Sequence, residues 1–114
     1  MIMLVVTTEE VKGYRITVMY GLVKGSSIRA KHLGRDIGAG LKSLVGGELK
    51  GYSELLEESR EEALHRMIEQ ADKKGANAII AIRFVSSMVM GGAAEMLVYG
   101  TAVRIVKNEP AMEG

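Results

Sequence analysis

The chain contains no cysteine and no tryptophan, and only one proline, one phenylalanine and two histidines among 114 residues. Without cysteine there is no disulfide, no thiolate nucleophile and no thiolate metal ligand. Nothing therefore calls for an oxidising compartment, and a cytoplasmic location is the expectation. Long apolar runs are missing as well. The opening MIMLVV is too brief to span a bilayer and has no basic region ahead of it, so neither a membrane partner nor a signal peptide is expected. Neither sign of charge dominates: fifteen Lys and Arg against fourteen Asp and Glu leave a formal charge of +1. That balance gives no general pull toward nucleic acid, and at 4% aromatic the chain has few rings on which bases could stack.

What is present is ordinary globular material, 47% hydrophobic and 25% charged, enough for one domain with one modest core. The stretch Gly51 to Asn77 reads as a long amphipathic helix. Ser53 is placed to cap its start, with Glu54, Glu57 and Glu58 over the positive end of the dipole. Lys73, Lys74 and Gly75 supply the opposite charge and the left-handed stop. At 100° per residue, Leu56, Ala63, Leu64, Met67, Ile68 and Ala71 share one arc, and Glu58, Glu62, His65, Glu69 and Lys73 lie opposite. Around it, Ile2 to Val6 reads as a short strand. Tyr14 to Val23 alternates as a half-buried strand with Tyr14, Ile16, Val18, Tyr20 and Leu22 on one face. Lys24 to Ile28 reads as a Gly-Ser turn, and Leu33, Ile37, Leu41 and Leu44 suggest a short, glycine-burdened second helix. Ala78 to Val85 is apolar on both faces, Gly91-Gly92 signals a hairpin, and Ala94 to Val106 is its partner strand. The order strand, strand, helix, helix, strand, strand makes an α+β domain over residues 1–107, with a tail, 108–114, expected to fray.

Several pieces of this chain together resemble a known family: Arg35-Asp36, Gly46-Gly47-Glu48-Leu49, Tyr52, Ser59-Arg60, Gly75-Ala76-Asn77-Ala78 and Tyr99-Gly100-Thr101-Ala102-Val103. They are similar to the YbjQ-like family, small proteins catalogued as heavy-metal-binding without an established activity. The resemblance covers nearly the whole chain. It implies a β-α-β-β core with an antiparallel sheet and the helices on one face, similar to a dodecin subunit, plus a short extra N-terminal strand. It also implies assembly as a ring-like homopentamer and, as a family label only, a divalent or soft heavy metal. It implies no reaction.

Ligand chemistry can be set against that label. His32 and His65 lie in different helices and neither has an HxxxH or HxH companion, so neither is half of a local site. His65, beside Glu61, Glu62 and Glu69, reads as a solvated partner of Glu61. Met88 and Met90 share a strand face where paired thioethers could suit a soft ion such as Cu(I), or could fill gaps at a subunit contact. GRDIGAG matches no phosphate-binding pattern, and its glycines read as close packing. The basic residues Lys24, Arg29, Lys31, Arg35 and Lys42 either form a positive surface for an anion or RNA, or offset the acidic helix. The second reading is favoured because aromatics are not interleaved. Ser26, Ser27, Ser53 and Ser59 have no nucleophile-elbow context and no two carboxylates are singled out, so catalysis is not the expectation. Three function classes follow: a binding module for a metal or small ligand, a structural or interaction ring, and an enzyme whose site forms between subunits. Finally, Arg60 falls on the apolar arc of the long helix. Either its guanidinium reaches out to water, or it pairs with a carboxylate from elsewhere, for which Glu48 is the choice.

Overall fold

The computed structural model describes residues 2–29, 47–88 and 93–109, and among these the side chains of all but residues 29 and 47–52. The short helix expected over Leu33 to Leu44, the turn at Gly91-Gly92 and the end of the tail lie outside the described residues. Four strands and one helix make up the rest: β1 (Leu4–Val5), β2 (Tyr14–Arg29), α1 (Gly47–Lys74), β3 (Ala78–Met88) and β4 (Ala94–Lys107). The sheet order is β1-β3-β4-β2. The three long strands pair antiparallel, and β1 adds parallel to β3 through Leu4 opposite Ala78 and Val5 opposite Ile79. The architecture is thus the α+β class with a helix on one face of a mixed sheet.

The C-terminal end of α1 forms as its sequence indicates. Gly75 adopts φ +94, its amide donates to Asp72 O, and the Ala76 amide reaches back to Ala71 O. These are the paired bonds of a Schellman stop, and they satisfy carbonyls that the helix leaves open. The start differs from expectation. The helix begins at Gly47, so Ser53 lies inside its second turn and is not the N-cap. The buried stripe is narrower than the apolar arc: Ser59, Ala63, Met67 and Ala71, spaced four apart, are deepest, while Leu56, Leu64 and Ile68 flank them. Arg60 is exposed, which corrects its placement in the middle of the buried stripe.

β2 is also longer than its sequence suggests. Lys24 to Ile28 continues the strand in register with Tyr99 to Glu95 of β4 and makes no turn. Glycine and serine serve here as contacts for the helix. A Cβ on Gly25 would overlap the Ala63 carbonyl and come within 2.6 Å of the Met67 amide nitrogen, so only glycine lets α1 lie this close. Two register shifts, between Ile16 and Val18 and between Met19 and Gly21, break the simple alternation. Opposed residues share a face. Met19 and Leu22, opposite Val103 and Thr101, therefore lie on the side away from the helix, as do Tyr14 and Ile16.

The main core fills the space under α1, with Val23, Met67, Ile79, Ile82, Met96 and Val98 at its centre. A smaller core of Ala78, Ile80, Val103 and Ile105 lies on the opposite face under Val6 and Val11. The two are linked by a bulge in β3, where the register jumps from Ile80 opposite Thr101 to Arg83 opposite Tyr99. Ala81 takes φ 53 there, a left-handed conformation that costs a residue with a Cβ about 1–2 kcal/mol. The loop after β1 holds the bulge in place. Ala81 N donates to Thr8 O at 2.8 Å, Ile82 N to Val6 O at 3.1 Å, and Arg83 Nη1 to Thr7 O at 3.0 Å. Ala81→Gly removes that strain but adds roughly 0.5–1 kcal/mol of chain entropy. It is expected to leave urea stability unchanged or raise it by up to about 1 kcal/mol, while the β-branched Ala81→Val lowers it. A loss above about 1 kcal/mol in the glycine variant would contradict this account of the bulge.

Candidate functional site

The polar face of α1 gathers Glu54, Glu57, Glu58, Glu61, Glu62 and His65 along one open groove. His65 Nε2 lies 2.8 Å from Glu69 Oε1, with both side chains largely in water. The solvated i,i+4 pair expected of His65 is therefore present, but toward Glu69 and not Glu61. At this exposure it contributes little to stability. Among the described residues there is no group of three or more His, Cys, Asp or Glu side chains that could hold a metal ion.

Under and beside the helix, polar groups are spent on joining α1 to β2. Ser27 and Ser59 are completely buried. Ser27 Oγ donates to Glu62 Oε1 at 2.7 Å, and Ser59 Oγ donates to Ser27 O at 3.4 Å. Hydroxyls sealed from solvent in this way hold a helix to a strand and are not placed to attack a substrate. Gln70 Oε1 accepts from the Lys24 amide at 2.7 Å. Arg66 Nη1 donates to Ser26 O at 2.6 Å while pairing with Glu62. β2 is an edge strand, and these two side chains cap its outward backbone groups between Lys24 and Ser26. Covering an edge in this way prevents another strand from adding there. Sequence periodicity gave no sign of this, because Gln70 and Arg66 look like ordinary solvated helix positions.

Among the described residues, the sheet face turned away from α1 is covered only at its lower end. Above the Val6 and Val11 loop it presents Met19, Leu22 and Ile28 of β2, each about two-thirds exposed, with Val85 of β3 and Tyr99 of β4 more than a third exposed. On the helix side, α1 lies chiefly over β2 and β4. Phe84 and Met88 of β3 are therefore also open, at 43% and 60%. Backbone bonds from the N-terminal loop reach β3 only as far as Ile82. Large apolar side chains exposed in such number on one small domain mark an interface more often than a free surface.

Of the residues singled out in the sequence, His65 and Met88 are exposed and stand on different elements, α1 and β3. His32 and Met90 lie outside the described residues, as does the side chain of Glu48, so neither the Met88–Met90 pair nor the Arg60–Glu48 pair can be drawn. Arg60 makes no ion pair with any described residue. The donor chemistry of the described residues does not fit a heavy-metal centre within one subunit: it lacks thiolates, and its one imidazole is solvated and already paired.

Comparison with known proteins places this geometry. A family model described as "Putative heavy-metal-binding" matches residues 3–106. A UPF0145 protein of Clostridioides difficile is 59% identical over 111 residues, covering 97% of this chain and 99% of that protein. One from the archaeon Methanosarcina acetivorans is 56% identical over 106 residues, covering 93% and 100%. A crystal structure from Pediococcus pentosaceus, titled as a protein of unknown function in the DUF74 family, superposes with a TM-score of 0.50 at 18% identity. It covers 93% of this chain and 98% of that one. At that identity the likeness shows the fold alone.

Proposed function

The chain belongs to the YbjQ-like, UPF0145 family, and from that premise we propose that it is one subunit of a homo-oligomer, pentameric by the family resemblance, which serves as a binding module for a small ligand. The observation that carries this reading is the open apolar sheet face of Met19, Leu22, Ile28, Val85 and Tyr99. Each large apolar side chain removed from water contributes about 1.5–3 kcal/mol, so a second copy laid over this face has a driving force that the monomer leaves unused. Light scattering at micromolar concentration is expected to return a multiple of 12.3 kDa. A species of 12.3 kDa alone would end the proposal.

The family's metal label is not carried into one subunit. His65, His32, Met88 and Met90 are the residues to which it would have to attach, and the described ones share no coordination sphere. Metal binding stabilises a fold by mass action and requires deprotonated ligands. Micromolar zinc or nickel is therefore expected to leave the melting temperature in place, and copper to move it only slightly. A rise above about 5 °C that disappears in His65→Ala corresponds to roughly 1 kcal/mol of binding and would restore the metal reading.

A further inference from the structure

Beside the helix, on the face it partly covers, the sheet and α1 border an open-sided cleft of about 160 Å³. Its apolar wall is Leu56, Met88 and Met96, and its polar lining is Arg60, Ser86 and Ser87. The register explains the grouping. Ser86 opposes Met96 and Met88 opposes Ala94, so Ser86, Met88 and Met96 stand on the face along which α1 runs. Arg60 projects from the helix at the level of that strand end. Its neighbours at three and four positions are Leu56, Glu57, Ala63 and Leu64. Glu57 alone is acidic, and it does not pair with Arg60. Glu57 lines the separate groove with Glu54, Glu58, Glu61, Glu62 and His65, and the 100° step places the other members of that groove about 100° or more around the helix from Arg60.

We infer that this cleft binds a small monocarboxylate with a short hydrocarbon tail. A guanidinium offers a forked donor pair that matches a carboxylate, the Ser86 hydroxyl stands on the same face to share a hydrogen bond, and two thioethers with a leucine form an adaptable apolar wall. The volume equals about five waters by their share of the liquid, which suits a chain of about six carbons. A metal cation is disfavoured by the fixed positive charge of Arg60, despite the two methionine sulfurs. A hydrocarbon without charge would leave the guanidinium unused. The inference rests on the reading of the chain as a small-ligand module and does not depend on the number of subunits.

Hexanoate titrated into the full-length protein, labelled at its methionine methyl groups, tests the assignment. Saturable shifts of the Met88 and Met96 methyls in the millimolar range are expected, the affinity usual for so small a ligand. Met67 in the core and Met19 on the opposite sheet face should stay in place. Arg60→Gln is expected to weaken binding at least about tenfold, the loss that follows removal of a charge-assisted hydrogen bond. Hexylamine should give no shift, and hexanol only a weak one. The site is overturned if hexanoate moves neither methyl, if the shifts survive Arg60→Gln, or if hexanol binds as well as hexanoate. It is also overturned if the same methyls shift with protein concentration alone, which would give the cleft to a second copy of the chain. Light scattering on the same samples separates the two proposals. A monomer that binds hexanoate through Arg60 removes the assembly and keeps the cleft, and an oligomer indifferent to hexanoate does the reverse.

Discussion

Replacing Gly25 by alanine is expected to lower the stability of the fold by about 3 kcal/mol or more, at the upper end of what overpacking a core costs. The reason is the identity of the atoms in the way. The new methyl would overlap the Ala63 carbonyl oxygen and lie 2.6 Å from the Met67 amide nitrogen and 3.1 Å from the Ala63 carbonyl carbon. All three belong to the helix backbone, which cannot rotate aside as a side chain can. Relief requires α1 to lift from β2. That movement would loosen the buried bonds of Ser27 and Ser59 and open the core at Val23 and Met67. Thermal unfolding followed by circular dichroism should show a melting temperature more than about 10 °C lower. A drop of less than about 3 °C would mean that the helix sits farther from the strand than described.

The same residue shows why part of the fold could be read from the sequence and part could not. The long helix, its Gly75 stop and the two C-terminal strands follow from local signals: a 3.6-residue period, a charge gradient and β-branched runs. Gly25 with Ser26 and Ser27 carries the local signal of a turn, yet the tertiary contact with Ala63 and Met67 overrides it and the strand continues. The bulge at Ala81 left no composition cue, because left-handed positions usually show as glycine or asparagine. Ser53 resembles a cap but falls within a helix that starts six residues earlier. At the site level, the exposure of His65 was legible from the helical wheel, and the choice of Glu69 over Glu61 was not. Arg60 lies within the 40° margin of the apolar arc, where periodicity alone cannot separate the edge of a stripe from its centre. The cleft it lines needs β3 brought alongside α1, a long-range fact with no local signature.

Charging the open sheet face is expected to dissociate the proposed assembly without unfolding the subunit. Leu22 and Ile28 are 64% and 65% exposed within one chain, so Leu22→Glu with Ile28→Glu costs an isolated subunit little, as surface substitutions do. Within an interface the same change removes two apolar side chains worth about 1.5–3 kcal/mol each and forces carboxylates into a dry contact, repeated in every copy. The double variant should therefore run at 12.3 kDa in light scattering while its far-ultraviolet dichroism keeps the helical signal. Retention of the parent mass would place the contact elsewhere, with the helix-side stretch of β3 around Phe84 as the surface to examine next. Unfolding of the variant would mean that the face is already part of a core within one chain.

The pairing of β2 with β4 also carries a consequence in time. Arg29 meets Ala94 and Tyr14 meets Lys107, so the paired residues of β2 wait for partners synthesised 65 to 93 positions later. At translation speeds of about 5–20 residues per second, that wait lasts about 3 to 19 seconds. During it, the stretch from Tyr14 through Val23 is outside the ribosome with neither its strand partner nor, for most of that interval, a finished helix to lie under. Closing so long a loop is slow compared with forming the adjacent β3 and β4 pair. The last strand to find its place in the cell is thus one of the first to be made, and the nascent chain is most vulnerable to aggregation just before residue 107 emerges.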